Sequence, residues 1–380
     1  MSSDKLPICL ICDQKVFRWI PLIIKQWEIK YMFCQDEEMK KTIIDTFGLY
    51  NTKINNVNNV IKYIDELKDE NISLLFLALG TNKFHELVLE YVISKKKFYY
   101  IFSSDVPSLN AQTLEKFKNL LNNFNSDKDI IYDVKKEYKN INKQFYWNIF
   151  NPLMNERVFY NLKNALNELG HIHAVQIEST FIPFLVESED IGNALFYRSI
   201  LIISLIEFLF ENPKNVLAKS YYIKANEVTI NCLSGSVAFD SLNCYFNISV
   251  NNLSKIFSLK VYGENGFIDV SYTKEHDCKE GWKRNICMCF QMQRCLNHYE
   301  YPSIFSEDSH RNALTELQYF LDEQLYTNKY INSYISATHT AICLWKSNGD
   351  NIALKHKTDT NGNETGIECK IKSGESCILA

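Results

Sequence analysis

Ser73-Leu74-Leu75-Phe76-Leu77-Ala78-Leu79 carries one hydroxyl and no charge, and Gly80 follows it. A run this short and this apolar has no face to offer water, so it reads as a strand buried on both sides. Helical spacing flanks it, in Asn56–Lys68 and Lys83–Ser94, where apolar residues recur at intervals of three and four. The same alternation extends outward. Leu6–Cys12, Ile29–Cys34, Phe98–Phe102 and Ile130–Val134 are short apolar runs. Val16–Trp27, Asp36–Phe47 and Leu109–Leu121 are helical, and the acids Asp36, Glu37 and Glu38 suit a helix amino terminus. Alternating β and α with continuous apolar strands predicts a doubly wound parallel sheet with helices on both faces.

After about Tyr146 the pattern changes. Glu156–Leu169 reads as a helix ending at Gly170, His171–Phe181 as a strand, and Ile191–Phe210 as a long buried helix. Strands then follow one another without helices between them: Val216–Ala225, Thr229–Leu233, Ser236–Val250, Phe257–Tyr262, Gly266–Tyr272 and Ile286–Gln293. That succession predicts an α+β domain with an open antiparallel sheet, closed by helices Arg311–Leu325 and Asn332–Ser347. From Lys355 the chain turns polar and reads as a loose tail, so the expected domains are 1–145 and 146–354, with a flexible tail over 355–380.

Composition narrows the function. Hydrophobic residues are 46% and charged residues 23% of the 380, which suits a folded chain. With 41 Lys and Arg against 45 Asp and Glu, the net charge is −4 and nothing predicts a nucleic-acid partner. Ile191–Phe210 holds Arg198 and Glu207, which argues for a buried helix rather than a membrane span. The amino terminus lacks a secretory pattern, so the expectation is a cytoplasmic protein whose 12 cysteines are reduced thiols. None of the 12 glycines precedes Gly48.

Several short strings resemble the Gfo/Idh/MocA oxidoreductases. Ser73–Gly80 followed by Thr81-Asn82-Lys83-Phe84-His85 resembles that family's buried strand and Pro-Asn-x-x-His turn, with Thr81 in place of proline. Ser103-Ser104-Asp105-Val106-Pro107 sits where the family has a strand ending in Glu-Lys-Pro. Asn151-Pro152, the helix to Gly170, and the Gly263–Gly266 strand pair are similar to its second domain. The resemblance covers about residues 6–354, and the pattern is nearest to the glucose-fructose oxidoreductase domain-containing proteins. It implies a Rossmann-like first domain, an NAD or NADP cofactor and no metal. It further implies a small, sugar-like ligand between the domains and a homodimer formed through the second sheet. By position it makes Asp13, Lys15, Asp36, Thr81, Asn82, His85 and Pro107 cofactor-binding candidates. The catalytic positions are occupied by Asp105, Val106, Leu201 and Ser204.

The departures matter as much. A dinucleotide needs glycines at the first βα turn, so that backbone amides reach the pyrophosphate and the helix sits close to the strand. Here the turn is Ile11-Cys12-Asp13-Gln14-Lys15-Val16, with no glycine. A carboxylate ~4 Å from a phosphate costs about 1 kcal/mol in water and about 4 near a protein surface. Val106 stands where the family has its catalytic Lys, and Leu201 and Ser204 where it has His and Asp. None of the three performs proton transfer as those residues do. The expectation is an oxidoreductase-like chain with weakened cofactor binding, a pseudoenzyme acting as a binding or scaffold module. The competing expectation is an active enzyme that uses Asp105 or His85 instead.

Other strings read as structure first. Cys9-x-x-Cys12 lies within a strand, where residues three apart face opposite sides. Cys287, Cys289, Cys295 and His298 form the densest ligand-like cluster, without a complete tetrahedral set. His171 and His173 share one strand face. Cys377-Ile378-Leu379-Ala380 matches a farnesylation box, which on a flexible tail would give peripheral membrane contact.

Overall fold

The structure is a computed structural model. It describes residues 5–34, 37–50, 52–56, 60–66, 72, 74–95, 100–126, 146–181, 191–225, 228–250, 256–274, 284–292, 295–301, 307–323, 329–358, 364–371 and 376–377. The chain divides into two units, Met1–Asn151 with His310–Asn332, and Pro152–Ser309 with Ser333–Ala380.

The first unit is built on a parallel sheet of β1 (Pro7–Cys12), β2 (Glu28–Cys34), β3 (Lys53–Asn56), β4 (Leu74–Ala78), β5 (Tyr100–Ser103) and β6 (Tyr146–Ile149). Their spatial order is β3-β2-β1-β4-β5-β6. The helices are α1 (Ile20–Gln26), α2 (Glu37–Phe47), α3 (Val60–Glu66), α4 (Lys83–Lys95) and α5 (Ala111–Ser126). Every residue of β4 is buried, as its sequence requires. Successive side chains alternate faces. Leu10, Cys12, Leu74 and Phe76 join Ile20 and Ile23 of α1, Met39 and Ile43 of α2, and Trp19 in one core. Cys9, Ile11, Leu75 and Leu77 point the other way, and α4 and α5 bury Val88, Leu89, Val92, Leu114 and Phe117.

The departures from expectation have local causes. The helix expected over Val16–Trp27 divides into a 3-10 turn, Gln14–Arg18, and the seven-residue α1. Pro21 stands at its first turn, where a missing amide costs least. The sixth strand is Tyr146–Ile149, and Ile130–Val134 lies outside the described residues. The expected boundary at 145/146 falls instead at Asn151/Pro152. The late helix Glu307–Glu323, expected to close the second domain, belongs from His310 onward to the first unit. Its apolar stripe Ala313, Leu314 and Leu317 completes the core around Trp19, and chain order carries no hint of which core a stripe will join.

The second unit begins with α6 (Arg157–Ala165), a 3-10 turn to Leu169, and Gly170 at φ 70°. Then come β7 (Ile172–Phe181), α7 (Ile191–Phe210), β8 (Asn215–Ala225), β9 (Val228–Ala238), β10 (Asn243–Val250), β11 (Ile256–Gly263) and β12 (Gly266–Lys274). β13 (Arg284–Met292) and β14 (Cys295–Tyr301) follow, then the late helix, here α8, and α9 (Lys329–Ser347). β15 (Ile352–Thr358), β16 (Glu364–Ile371) and β17 (Ser376–Cys377) end it. These strands form one sheet, β14-β13-β12-β11-β7-β10-β9-β8-β15-β16-β17, mostly antiparallel, with β7 and β10 parallel. The single strand expected over Ser236–Val250 is the β9–β10 hairpin, turned at Asp240-Ser241, where the Phe239 amide bonds the Leu242 carbonyl at 2.9 Å.

The tail is not loose where it is described. β15 pairs with β8 and β16, and Cys377 in β17 lies opposite Cys369. Ile352 and Leu354 alternate inward, yet polar neighbours hide that period in the composition. The flexible arm expected to carry Cys377 to a prenyl transferase is therefore strand over these residues. Cys343 on α9 is disulfide-bonded, against the expectation of uniformly reduced thiols, while Cys9, Cys12, Cys34, Cys232 and Cys244 are free. A cysteine count does not show which thiols a fold will bring together. In α7 the residues from Ile200 to Ile203 are buried. Its two charges meet partners: Arg198 Nε and Nη2 donate to Ser179 Oγ at 3.3 Å, and Glu207 accepts from Thr340 Oγ1 at 2.8 Å. Among the described residues no helix is long and apolar enough to cross a membrane.

Candidate functional site

In an open α/β sheet, ligands bind outside the carboxyl ends of the strands, where the strand order reverses. Here that place is between β1 and β4. Asp13, just past β1, donates its amide to the Ala78 carbonyl at 3.1 Å. Its carboxylate Oδ2 accepts the Gly80 amide at 2.6 Å. Both the backbone and the side chain after β1 are thus tied to the end of β4.

The turn then closes on itself. The Val16 amide donates to the Asp13 carbonyl at 3.1 Å, and the Trp19 amide to the Val16 carbonyl at 2.8 Å. The amides of Leu22 and Ile23 both go to the Trp19 carbonyl, at 3.0 and 2.9 Å. Ile11 and Val16 are fully buried, and α1 starts only at Ile20. The amides of Asp13, Val16 and Trp19 are thus spent internally, side chains stand where a pyrophosphate-binding turn has glycines, and the Asp13 carboxylate bridges the ends of β1 and β4. Lys15 lies in the 3-10 turn with its side chain outside the described residues, and Asp36 is itself outside the described residues.

The remaining candidates hold strand ends together. Thr81 Oγ1 donates to the Val106 carbonyl at 2.7 Å. Asn82 Oδ1 accepts the His85 amide at 2.9 Å, an amino-terminal cap for α4. His85 is fully buried, with Nδ1 3.2 Å from the Gly80 carbonyl and Nε2 3.3 Å from Ser103 Oγ. Ser103 Oγ in turn accepts from Trp147 Nε1 at 2.9 Å. A carbonyl only accepts, so the network assigns the proton to Nδ1 and lets Ser103 donate to Nε2. This is a Ser–His hydrogen bond between two residues that both have 0% exposure. Asp105 Oδ1 accepts the Val106 amide at 3.0 Å, and Asp105, Val106 and Pro107 are all buried.

Leu201 and Ser204 lie in the second unit on α7. Leu201 is core, and Ser204 Oγ donates to the Ile200 carbonyl at 2.9 Å. His171 and His173 are exposed with rings 5.1 Å apart, but among the described residues no three His, Cys, Asp or Glu gather as a metal site. Cys12 finds Cys34 rather than Cys9, with Sγ atoms 3.8 Å apart across β1 and β2. Burial first, then the Cys34 thiol, pushes the Cys12 thiol well up, and burial alone raises Cys9. Both behave as small core residues. Cys287, Cys289, Cys295 and His298 have described backbones in β13 and β14, with Cys289 opposite His298.

Sequence reasoning missed the Asp13–Gly80 bond, Ser103, Trp147 and the role of Trp19. Only Trp19 left a trace, lying on the helical stripe that runs through Val16, Ile20 and Ile23. The other contacts depend on strand register, which single strings do not reveal.

A six-stranded parallel sheet with helices, followed by a mixed, mostly antiparallel sheet, is the two-domain fold of the Gfo/Idh/MocA-type dehydrogenases. Among solved structures the chain is similar to a myo-inositol dehydrogenase from Corynebacterium glutamicum ATCC 13032, with TM-score 0.66, 11% identity, and coverage of 93% of this chain and 100% of that one. It is similar also to a biliverdin reductase from Synechocystis sp. PCC 6803 in complex with biliverdin and NADP+, at TM-score 0.63, 12% identity, and 89% and 96% coverage. A 3-ketoreductase from Actinomadura kijaniata in complex with NADP gives 0.65, 7%, 90% and 96%. No protein-family model matches the sequence, and no curated protein is significantly similar to it.

Proposed function

We propose that this chain keeps the oxidoreductase fold but has lost conventional NAD(P) binding and catalysis, and works as a binding or scaffold module. The observation that carries the reading is the 2.6 Å bond from the Gly80 amide to Asp13, which puts a carboxylate across the crevice at the strand switch point. Val106, Leu201 and Ser204 support it, since two are buried aliphatics and the third spends its hydroxyl on its own helix. Isothermal titration with NADH and NADPH tests it. The expected result is no saturable heat up to ~1 mM, near the top of the usual range for enzyme substrates. A micromolar dissociation constant would overturn the reading in favour of an active oxidoreductase.

The same module pairs with a second copy through the outer face of its sheet. Leu217, Tyr221 and Tyr245 are 37%, 46% and 51% exposed there, and Leu217 and Tyr245 flank Ser236 in one cross-strand row. Light scattering on the eluting protein should give twice the chain mass. A value near 44.4 kDa rejects the pairing.

A further inference from the structure

We infer that Asp13 has taken over a task that a bound phosphate performs on this fold, joining the end of β1 to the end of β4, so that the protein supplies its own bridging anion. This rests on the reading that the turn no longer takes a dinucleotide. Gly80 lies two residues beyond β4, outside the strand ladder, so its amide needs another acceptor. The Asp13 carboxylate provides one, and a bond to an ionised acceptor at 2.6 Å is of the strong kind. The Asp13–Ala78 backbone bond fixes the register that lets so short a side chain reach.

The bond does not stand alone. Gly80 is held on both sides, its amide by Asp13 and its carbonyl by His85 Nδ1. From His85 the contacts pass to Ser103 on β5 and from there to Trp147 on β6. A series of hydrogen bonds therefore links Asp13, Gly80, His85 and Ser103 across the carboxyl ends of β1, β4 and β5, and the Trp147 side chain of β6 joins it at Ser103. In a ligand-binding sheet those ends are left for the ligand. Here Asp13 is the positioning residue that terminates the chain with a charge.

The test compares wild type with Asp13→Ala and Asp13→Asn by amide hydrogen exchange and thermal melting, with and without formate. Asp13→Ala should speed exchange at Gly80 about tenfold or more, the size expected for losing a hydrogen bond to a charged group. Adding ~50 mM formate should slow that exchange again and raise the melting temperature of Asp13→Ala, while sodium chloride at equal ionic strength does not. Asp13→Asn, which keeps an acceptor oxygen, should retain most of the protection, and wild type should ignore formate. Wild-type exchange at Gly80 in Asp13→Ala would overturn the inference, as would failure of both formate and Asn to restore protection. Micromolar NADH binding by wild type would sink the underlying reading instead, and it is seen without either variant.

Discussion

Replacing Trp19 by alanine should cost the first unit about 3–5 kcal/mol, the range for emptying a large aromatic site in a core. Trp19 is 2% exposed and stands where the 3-10 turn gives way to α1. Its ring meets Phe76, Phe102 and Phe150 near edge-on, with centroids 5.2, 5.5 and 5.0 Å away. His310 of α8 lies 4.3 Å from the same ring and 4.6 Å from Phe150. Edge-on aromatic pairs add roughly 0.5–1.5 kcal/mol each beyond simple burial, so several of them act on one residue. The loss should be felt at a distance along the chain, because His310 begins the segment of α8 that completes this core. Amide exchange over Ala313–Leu317 should therefore quicken in Trp19→Ala, and Trp19→Phe should recover much of the stability. Urea unfolding followed by circular dichroism reads the first effect. The two units need not unfold together, so a drop in one transition with the other unmoved is the expected trace. A loss under ~1 kcal/mol would show that the cluster relaxes around the gap.

The parallel sheet was legible because its strands advertise burial: nothing but a doubly covered strand explains Leu74–Ala78. The missing glycines were legible too, since Ile11, Asp13 and Val16 are visible as residue types. What they do instead was not. The partner of Asp13 is 67 residues away, and only the pairing of Cys12 with Ala78 brings the two turns together. His85 was singled out from its turn as a cofactor-binding candidate, but its partner Ser103 comes through the β4–β5 register. β3 escaped notice because only Ile54 of its four residues is a buried apolar residue. β15 and β16 were hidden by charge, and α8 by topology, since a helix with one apolar stripe fits any uncovered sheet face. Local signals therefore located most of the elements, while the contacts that tie β1 to β4, β4 to β5 and β5 to β6 at the candidate site are long-range.

Gly235→Val should damage the second unit as severely as Trp19→Ala damages the first, by an unrelated cause. Gly235 sits inside β9, opposite Ala218 of β8 and Phe246 of β10. A Cβ there would lie 2.2 Å from the Leu217 carbonyl oxygen, 2.7 Å from Ala218 Cβ and 2.8 Å from Ala218 Cα. Two of these three atoms are backbone, so no rotamer change relieves the clash. β9 cannot retreat either, because it is hydrogen-bonded along its length to β8 on one side and β10 on the other. Relief requires breaking part of a ladder, and forced overpacking of this kind costs about 1–3 kcal/mol or more before any hydrogen bond is lost. Gly48 supplies the contrast: a Cβ there meets nothing within 4 Å, and only its φ of +68° resists substitution. Gly48→Ala should therefore cost about 1 kcal/mol, the ordinary penalty for a left-handed residue. Gly235→Ala should cost about 3 kcal/mol or more, and Gly235→Val should leave the second sheet unfolded at room temperature. Denaturation midpoints of Gly48→Ala and Gly235→Ala, measured side by side, decide the matter. Equal losses would mean that β8 and β9 stand further apart than the 2.2 Å approach demands.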